Sequence, residues 1–203
     1  MLSILLGGSS LPAGEIARAA GISPSTASEH LGMLADEGLV DADSRGRHRY
    51  FRVKNADVAR ALETLSVVAA GTDAAEKWLR GPYKRLQYAR SCYRHLAGEL
   101  GVRLLESLIL GRALIASERG YELTRKGRAW LAEIGLPPPR HCGERYAYAC
   151  LDWSEKRDHL AGHLATALLD HFLERHWLVH GDHPRSLEIT PHGRRLLLPR
   201  LQV

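Results

Sequence analysis

A mainly α fold with small β-ribbons, α+β in class, is predicted by three observations along these 203 residues. Two short segments with helical apolar spacing meet at Gly21, an arginine-rich ribbon follows Gly38, and the C-terminal half repeats itself at an offset of 64 to 66 positions. The first two place a helix-turn-helix with a β-wing at the N-terminus. The third places a pseudo-twofold repeated, helical and winged-helix-like domain behind it.

The second segment starts at Ser23, a residue suited to capping, with Pro24 at the first helical position, where its missing N–H costs nothing. Ala27, Leu31 and Leu34 recur at i, i+4 and i+7 and form the buried stripe. Ser25, Glu29, Gly32 and Asp36 fall on the far side, flanked by Thr26, Ser28 and Met33. Ala13 to Ala20 form the preceding helix, which stops at Gly21, whose freedom at positive φ suits a tight corner. Short hydroxyls at the start of a helix can donate to phosphates and base edges without holding the helix out of a groove. Ser23, Ser25, Thr26, Ser28, Glu29 and His30 are therefore the candidate DNA-reading residues of this helix.

Leu39 and Val40 open a ribbon that turns near Ser44, Arg45 and Gly46 and returns through His48 to Val53. Arg45, Arg47, His48 and Arg49 crowd its tip, with Arg52 further along, placed to reach phosphates or an adjacent minor groove. Ser23 to Leu31, Leu34, Glu37 to Val40 and Gly46 to Tyr50 together resemble the ArsR/SmtB-type winged helix-turn-helix repressors. That resemblance covers roughly the first third of the chain, and it implies a homodimer that leaves its operator when an inducer binds. Members of that family usually carry a longer first helix, whereas here only Leu2 to Gly7 precede Leu11 and Pro12. Either the start is trimmed or another segment completes that helix layer.

Composition is that of a soluble globular protein, with 45% hydrophobic and 25% charged residues. No apolar run reaches the ~18 residues of a membrane span and no basic leader precedes an apolar core, so a cytoplasmic protein without membrane attachment is expected. Three cysteines, an odd number, argue against a secreted disulfide framework. Residues 1–80 hold 9 Lys and Arg against 10 Asp and Glu, so the net charge of +5 arises beyond the helix-turn-helix. DNA binding is thus predicted from the motif and the local wing cluster, not from bulk charge.

Asn55 is placed to cap a helix running to Ala70, with Val58, Leu62, Leu65 and Ala69 along one side, either covering the winged helix or pairing two chains. These features give residues 1–71 as the DNA-binding domain with its dimerisation helix, 72–91 as a helical connector and 92–203 as a duplicated sensing or packing domain. His95, Leu96, Ala97 and Gly98 recur as His159 to Gly162, Leu104 and Leu105 as Leu168 and Leu169, and Leu114 as Leu178. Glu122 to Thr124 with Gly127 and Arg128 recur as Glu188 to Thr190 with Gly193 and Arg194. The repeats span about 92–134 and 150–200, with a two-residue extension between Val179 and Ser186. Each reads as a long helix beginning at the His-Leu-Ala-Gly stretch, two short strands and a helix capped by Thr124 or Thr190, and Pro137 to Pro139 form a stiff link between them.

A cysteine precedes each repeat. If Cys92 to His95 is helical, these two side chains share a face, and symmetry would bring Cys150 and His159 to meet them. Cys92, His95, Cys150 and His159 would then form a tetrahedral site for a zinc-like divalent metal ion, with Asp152, His163, Cys142 and His141 as nearby substitutes. The competing reading is plain packing, since cysteine is among the most buried residue types. Cys92 with His95 and Cys150 with Trp153 are also similar to a long-chain branch of the ArsR-type repressors, although Arg94 stands where an acidic residue is expected there. Cys150, His159 and Asp152 could make a nucleophile and base, but no phosphate loop, nucleophile elbow or metalloprotease motif accompanies them, so no catalytic residues are assigned. Tyr83, Tyr88, Tyr93, Tyr146, Tyr148, Trp153 and Trp177 either line an effector pocket or fill the core.

The sequence thus predicts a homodimeric, sequence-specific repressor on an imperfectly palindromic double-stranded DNA operator. It would be released by a metal ion, thiol oxidation or a small molecule sensed in the C-terminal domain. The alternative is a cytosolic metal- or ligand-handling protein that uses the winged helix to bind other proteins.

Overall fold

A computed structural model describes residues 1–46, 48–69, 84–139 and 145–201. Arg47, Tyr83, His141 and Cys142, all singled out above, lie outside the described residues.

The N-terminal part is a winged helix built from α1 (Leu2–Leu5), β1 (Leu11–Pro12), α2 (Ala13–Ala20), α3 (Pro24–Asp36), β2 (Val40–Arg45), β3 (His48–Val53) and α4 (Ala56–Ala69). Gly21 closes α2 at φ 67°, and Ser23 Oγ accepts from the Thr26 N–H at 3.1 Å to open α3. Ala27 and Leu31 are fully buried, joining Leu5, Leu6, Ile16, Val40, Phe51, Val53 and Ala59 in or beside one core. Leu11 and Pro12, expected as a turn, instead pair with Phe51 and Tyr50 as the third strand, giving the sheet order β1-β3-β2.

Asn55 Oδ1 caps α4 by accepting from the N–H groups of Asp57 and Val58, each at 3.0 Å. The apolar stripe expected on α4 is only half realised: Val58 and Leu62 pack on the core, but Leu65 is 63% exposed and Ala69 faces outward. The buried edge runs through Ala59 and Glu63 instead, because Glu63 is drawn inward by an arginine from the far end of the chain.

After the short α5 (Arg85–Tyr88), one succession of elements occurs twice. It is β4 (Arg90–Cys92), β5 (His95–Ala97), α6 (Glu99–Leu110), β6 (Leu114–Ser117), β7 (Gly120–Leu123) and α7 (Arg125–Ile134). Then come β8 (Tyr148–Leu151), β9 (Asp158–Ala161), α8 (His163–Glu174), β10 (Leu178–His180), β11 (Leu187–Ile189) and α9 (Pro191–Leu197). The expected start of each long helix is corrected: His95 to Ala97 and His159 to Ala161 are strands, and the helices begin only after Gly98 and Gly162, at φ 80° and 97°. A Cβ on either glycine would lie 2.6 or 2.5 Å from a backbone carbonyl, that of Gln87 or Arg145, so both corners demand glycine.

Cys92 to His95 is likewise a hairpin turn and not a helix, with Cys92 facing His95 across the ladder and Tyr93 and Arg94 at φ 43° and 69°. Cys150 faces His159 in the same way across β8 and β9. A buried core of Leu100, Leu104, Leu105, Leu164, Leu168, Leu169, Phe172 and their neighbours unites the long helices. The aromatic residues do not form one pocket: Tyr88, Tyr146 and Trp177 join that core, Tyr93 packs on the N-terminal one, and Tyr148 packs beside the two cysteines.

Candidate functional site

Two sites emerge, one on the surface and one buried. On the surface, α3 presents Ser25, Ser28, Glu29 and His30 to solvent while Thr26 is half-buried. The hydroxyls of Ser25 and Thr26 lie 2.9 and 2.8 Å from Ser23 Oγ, so the start of the helix is a preset hydroxyl cluster. Across the wing, Arg45 faces His48, and Arg49 extends over the Phe51 ring at 5.2 Å. Asp43 holds Arg45 at 2.9 Å and Asp41 holds Arg52 at 3.0 Å, so the ribbon's cations are oriented by its own acidic strand. Both pairs are exposed and add little stability.

The buried site lies where the two strand pairs β4-β5 and β8-β9 pack together. Ligand atoms of Cys92, Cys150 and His159 all lie within 4.8 Å of one another, and the His95 ring sits 5.2 Å from the His159 ring. Of the four residues singled out in the sequence, the structure therefore gathers three tightly and sets the fourth beside them. Arg94 points away and pairs with Asp170 at 3.1 Å.

Asp152 organises the site from behind. Its Oδ1 accepts from Arg90 Nη2 at 2.8 Å, from the Ser154 N–H and hydroxyl at 3.0 and 2.8 Å, and from the Glu155 N–H at 3.2 Å. Its Oδ2 accepts from the Gly98 N–H at 2.7 Å, at the start of α6, and lies 3.2 Å from His159 Nδ1. Arg90, itself fully buried, stacks 4.5 Å over the Trp153 ring and donates to the Leu86 carbonyl. A second buried arginine, Arg185, donates to Glu63 at 2.6 Å, to Ser91 O at 3.0 Å and to Ser3 O at 3.1 Å. It joins α4 and the N-terminus to β4, one residue from Cys92.

These contacts set the protonation states. Cys150 is pulled down to about 5 by the Cys92 thiol that donates to it and by His159, against burial. The same hydrogen bond, with burial, pushes Cys92 well up. Burial opposes charge on His159, yet Asp152 and Cys150 overcome it and raise the imidazole to about 9. Burial also opposes the Asp152 charge, but His159 and Arg90 hold that carboxyl well below the usual range. His95 is kept neutral by burial and by the charges of His159 and Arg185. The arrangement is a thiolate and imidazolium pair with a neutral thiol and a neutral imidazole beside it.

Residues 1–42 match the family model described as "Bacterial regulatory protein, arsR family". The HTH-type transcriptional regulator YdfF of Bacillus subtilis (strain 168) is 37% identical over 196 residues, covering 96% of this chain and 87% of that protein. The chain belongs to the ArsR family of transcriptional regulators. The HTH-type transcriptional regulator YgaV of Escherichia coli (strain K12) is 35% identical over 68 residues, covering 34% of this chain and 69% of its own length. The solution structure of the homodimeric winged helix-turn-helix DNA-binding domain Mb0332 from Mycobacterium bovis is 36% identical, covers 36% of this chain and 70% of that one, and has a TM-score of 0.32.

In this ArsR-family regulator, Arg90, Glu63 and Arg185 were not foreseen as site residues. Glu63 carried a faint signal, an acid four residues from Ala59 on the inward side of a helix. Arg185 carried another, since it sits in the two-residue extension that distinguishes the second repeat. Asp152, foreseen only as a substitute ligand, is instead the anchor of His159.

The shifts fix a pH profile for the metal-free protein. Unfolding returns Cys150 to its ordinary value of 9.0 and His159 to 6.5. The depressed thiol contributes stability that fades as pH falls from 9.0 to about 5, and the raised imidazole contributes stability that fades as pH rises from 6.5 to about 9. The two trends cancel between them. Stability is therefore expected to be level from pH 6.5 to 9 and to fall from 6.5 to 5, with a further loss in the carboxyl range as Asp152 protonates. Urea denaturation at unit pH steps checks this, and a level profile through pH 5 would disprove the thiolate and imidazolium assignment.

Proposed function

We propose that this regulator is a homodimeric, sequence-specific repressor that reads an imperfect palindrome with α3 and its wing. Its C-terminal half senses an effector at the Cys92, Cys150 and His159 cluster. The observation that carries the reading is the exposed face of α3, whose Ser25, Ser28, Glu29 and His30 face solvent beside a basic ribbon. Two such faces on a dimer read half-sites about one helical turn, ~34 Å, apart. Exposed Leu65 and Val68 on α4 support pairing of two chains through that helix.

The C-terminal half is read as a duplication of one winged-helix-like unit. Thr124 Oγ1 donates to the Arg112 carbonyl and Thr190 Oγ1 to that of His176, each at 2.7 Å, and both partners have φ 54°. Strand partners Leu114 and Leu123 correspond to Leu178 and Ile189, offsets of 64 and 66 that locate the extension in the turn before Ser186. Neither copy carries the hydroxyl-rich face of α3, which supports a sensing role over a second DNA-reading one.

Selection of genomic fragments by the purified protein, followed by footprinting of the enriched promoter, tests the reading. Arg47→Ala with Arg49→Ala should weaken binding to every sequence and flatten the salt dependence of log K by about two units, one per lost phosphate contact. Ser25→Ala should change which sequences are enriched. Unchanged affinity and salt slope in the arginine variant would overturn the wing assignment, and recovery of proteins without DNA would overturn the repressor.

A further inference from the structure

We infer that the effector is a soft divalent cation of the zinc type, held by Cys92 Sγ, Cys150 Sγ and His159, with His95 completing a tetrahedron. This rests on the reading of the C-terminal half as the sensing part. Three donor atoms within 4.8 Å of one another are already at the spacing a tetrahedral ion imposes on its ligands. Two sulfurs and two imidazoles form a donor set that suits zinc-like ions and disfavours calcium or magnesium.

The orphaned nitrogens are the independent observation. Among the described residues no hydrogen bond reaches Nδ1 of His95 or either ring nitrogen of His159, although the two side chains are 95% buried or more. Plain packing leaves such atoms unsatisfied at a cost, and native interiors rarely tolerate it. An ion accounts for them. Asp152, 3.2 Å from His159 Nδ1, stands where carboxylates support metal-binding imidazoles from behind, and Arg90, Gly98 and Ser154 fix it there. An open cleft of about 440 Å³, lined by Arg52, Asn55, Tyr93, His95, Tyr148 and His163 among others, leads from solvent to the His95 side. It gives an ion a way in between the wing, α4 and the hairpins.

The test uses the full chain carrying Cys142→Ser, reduced and stripped with a chelator, and titrated with cobalt(II) and then zinc(II) alone. One cobalt per chain is expected, with thiolate-to-cobalt charge transfer in the near ultraviolet and the intense visible bands of a tetrahedral site, all abolished by zinc. Cys150→Ser and His159→Ala should each lose the spectrum, and His95→Ala should weaken binding at least tenfold. Because those variants remove buried groups, the parent protein gives a second reading: zinc should raise its melting temperature and protect Cys92 and Cys150 from alkylation. Absence of the charge-transfer band, or alkylation and melting unaffected by zinc, overturns the inference. Operator binding by the stripped protein is measured alongside. A protein that binds its operator but takes no cobalt loses the metal site and keeps the repressor reading, whereas one that takes cobalt but binds no DNA in either form loses the repressor reading.

Discussion

Asp152→Ala is expected to remove about 3 to 5 kcal/mol of folding stability, the usual cost of stranding one member of a buried ion pair. The charge left behind is Arg90, fully buried, which cannot shed its proton and would retain only the Leu86 carbonyl and the Ser154 hydroxyl. The same substitution frees the Gly98 N–H at the start of α6 and the Ser154 and Glu155 N–H groups, so one side chain undoes a helix start, a loop and an ion pair together. Urea denaturation of the metal-free protein at pH 7 measures it. A double variant, Asp152→Ala with Arg90→Met, should recover part of the loss, since replacing both partners removes the stranded charge. A single-variant loss below about 1 kcal/mol would mean that water reaches Arg90.

Glu63→Ala should produce a loss of the same order by stranding Arg185 between Ser91 and Ser3. Arg185→Met strands Glu63 instead, but a carboxylate can take up a proton and an arginine cannot lose one, so the electrostatic part of its cost is smaller. The double variant should be less destabilised than the sum of the singles by more than about 1 kcal/mol, the signature of direct coupling. Additive losses would show that the two residues act separately.

The helix-turn-helix was legible because its determinants are local. Ser23, Pro24 and the spacing of Ala27 and Leu31 specify α3 without help from the rest of the chain, and the structure places them as read. The Cys92 to His95 turn was not legible, since a two-residue hairpin turn is normally marked by Asn or Gly and here Tyr93 and Arg94 occupy positive φ. Three-residue strands such as His95 to Ala97 leave too little alternation to distinguish them from the first turn of a helix. Convergence of Cys92, Cys150 and His159 could still be anticipated, because it follows from the repeat and not from the type of element carrying it. The ion pairs could not. Glu63 and Arg185 lie 122 residues apart and Arg90 and Asp152 lie 62 apart, and no local pattern links such partners.

The shortness of α1 acquires a meaning from what covers it. Gly7 O accepts from the Ser91 hydroxyl, Leu6 O from the Tyr93 N–H, and Ser3 O from Arg185, a contact spanning 182 residues. The layer that a longer first helix would complete by itself is completed here by the β4-β5 hairpin and the turn before β11. A ribosome making this chain therefore releases the recognition helix early and withholds the groups that cap the N-terminal layer until nearly all of the polypeptide has emerged. Contacts that close such long loops form late in folding. The newborn reading head consequently waits, unfinished on one side, for the part of the molecule that will govern it.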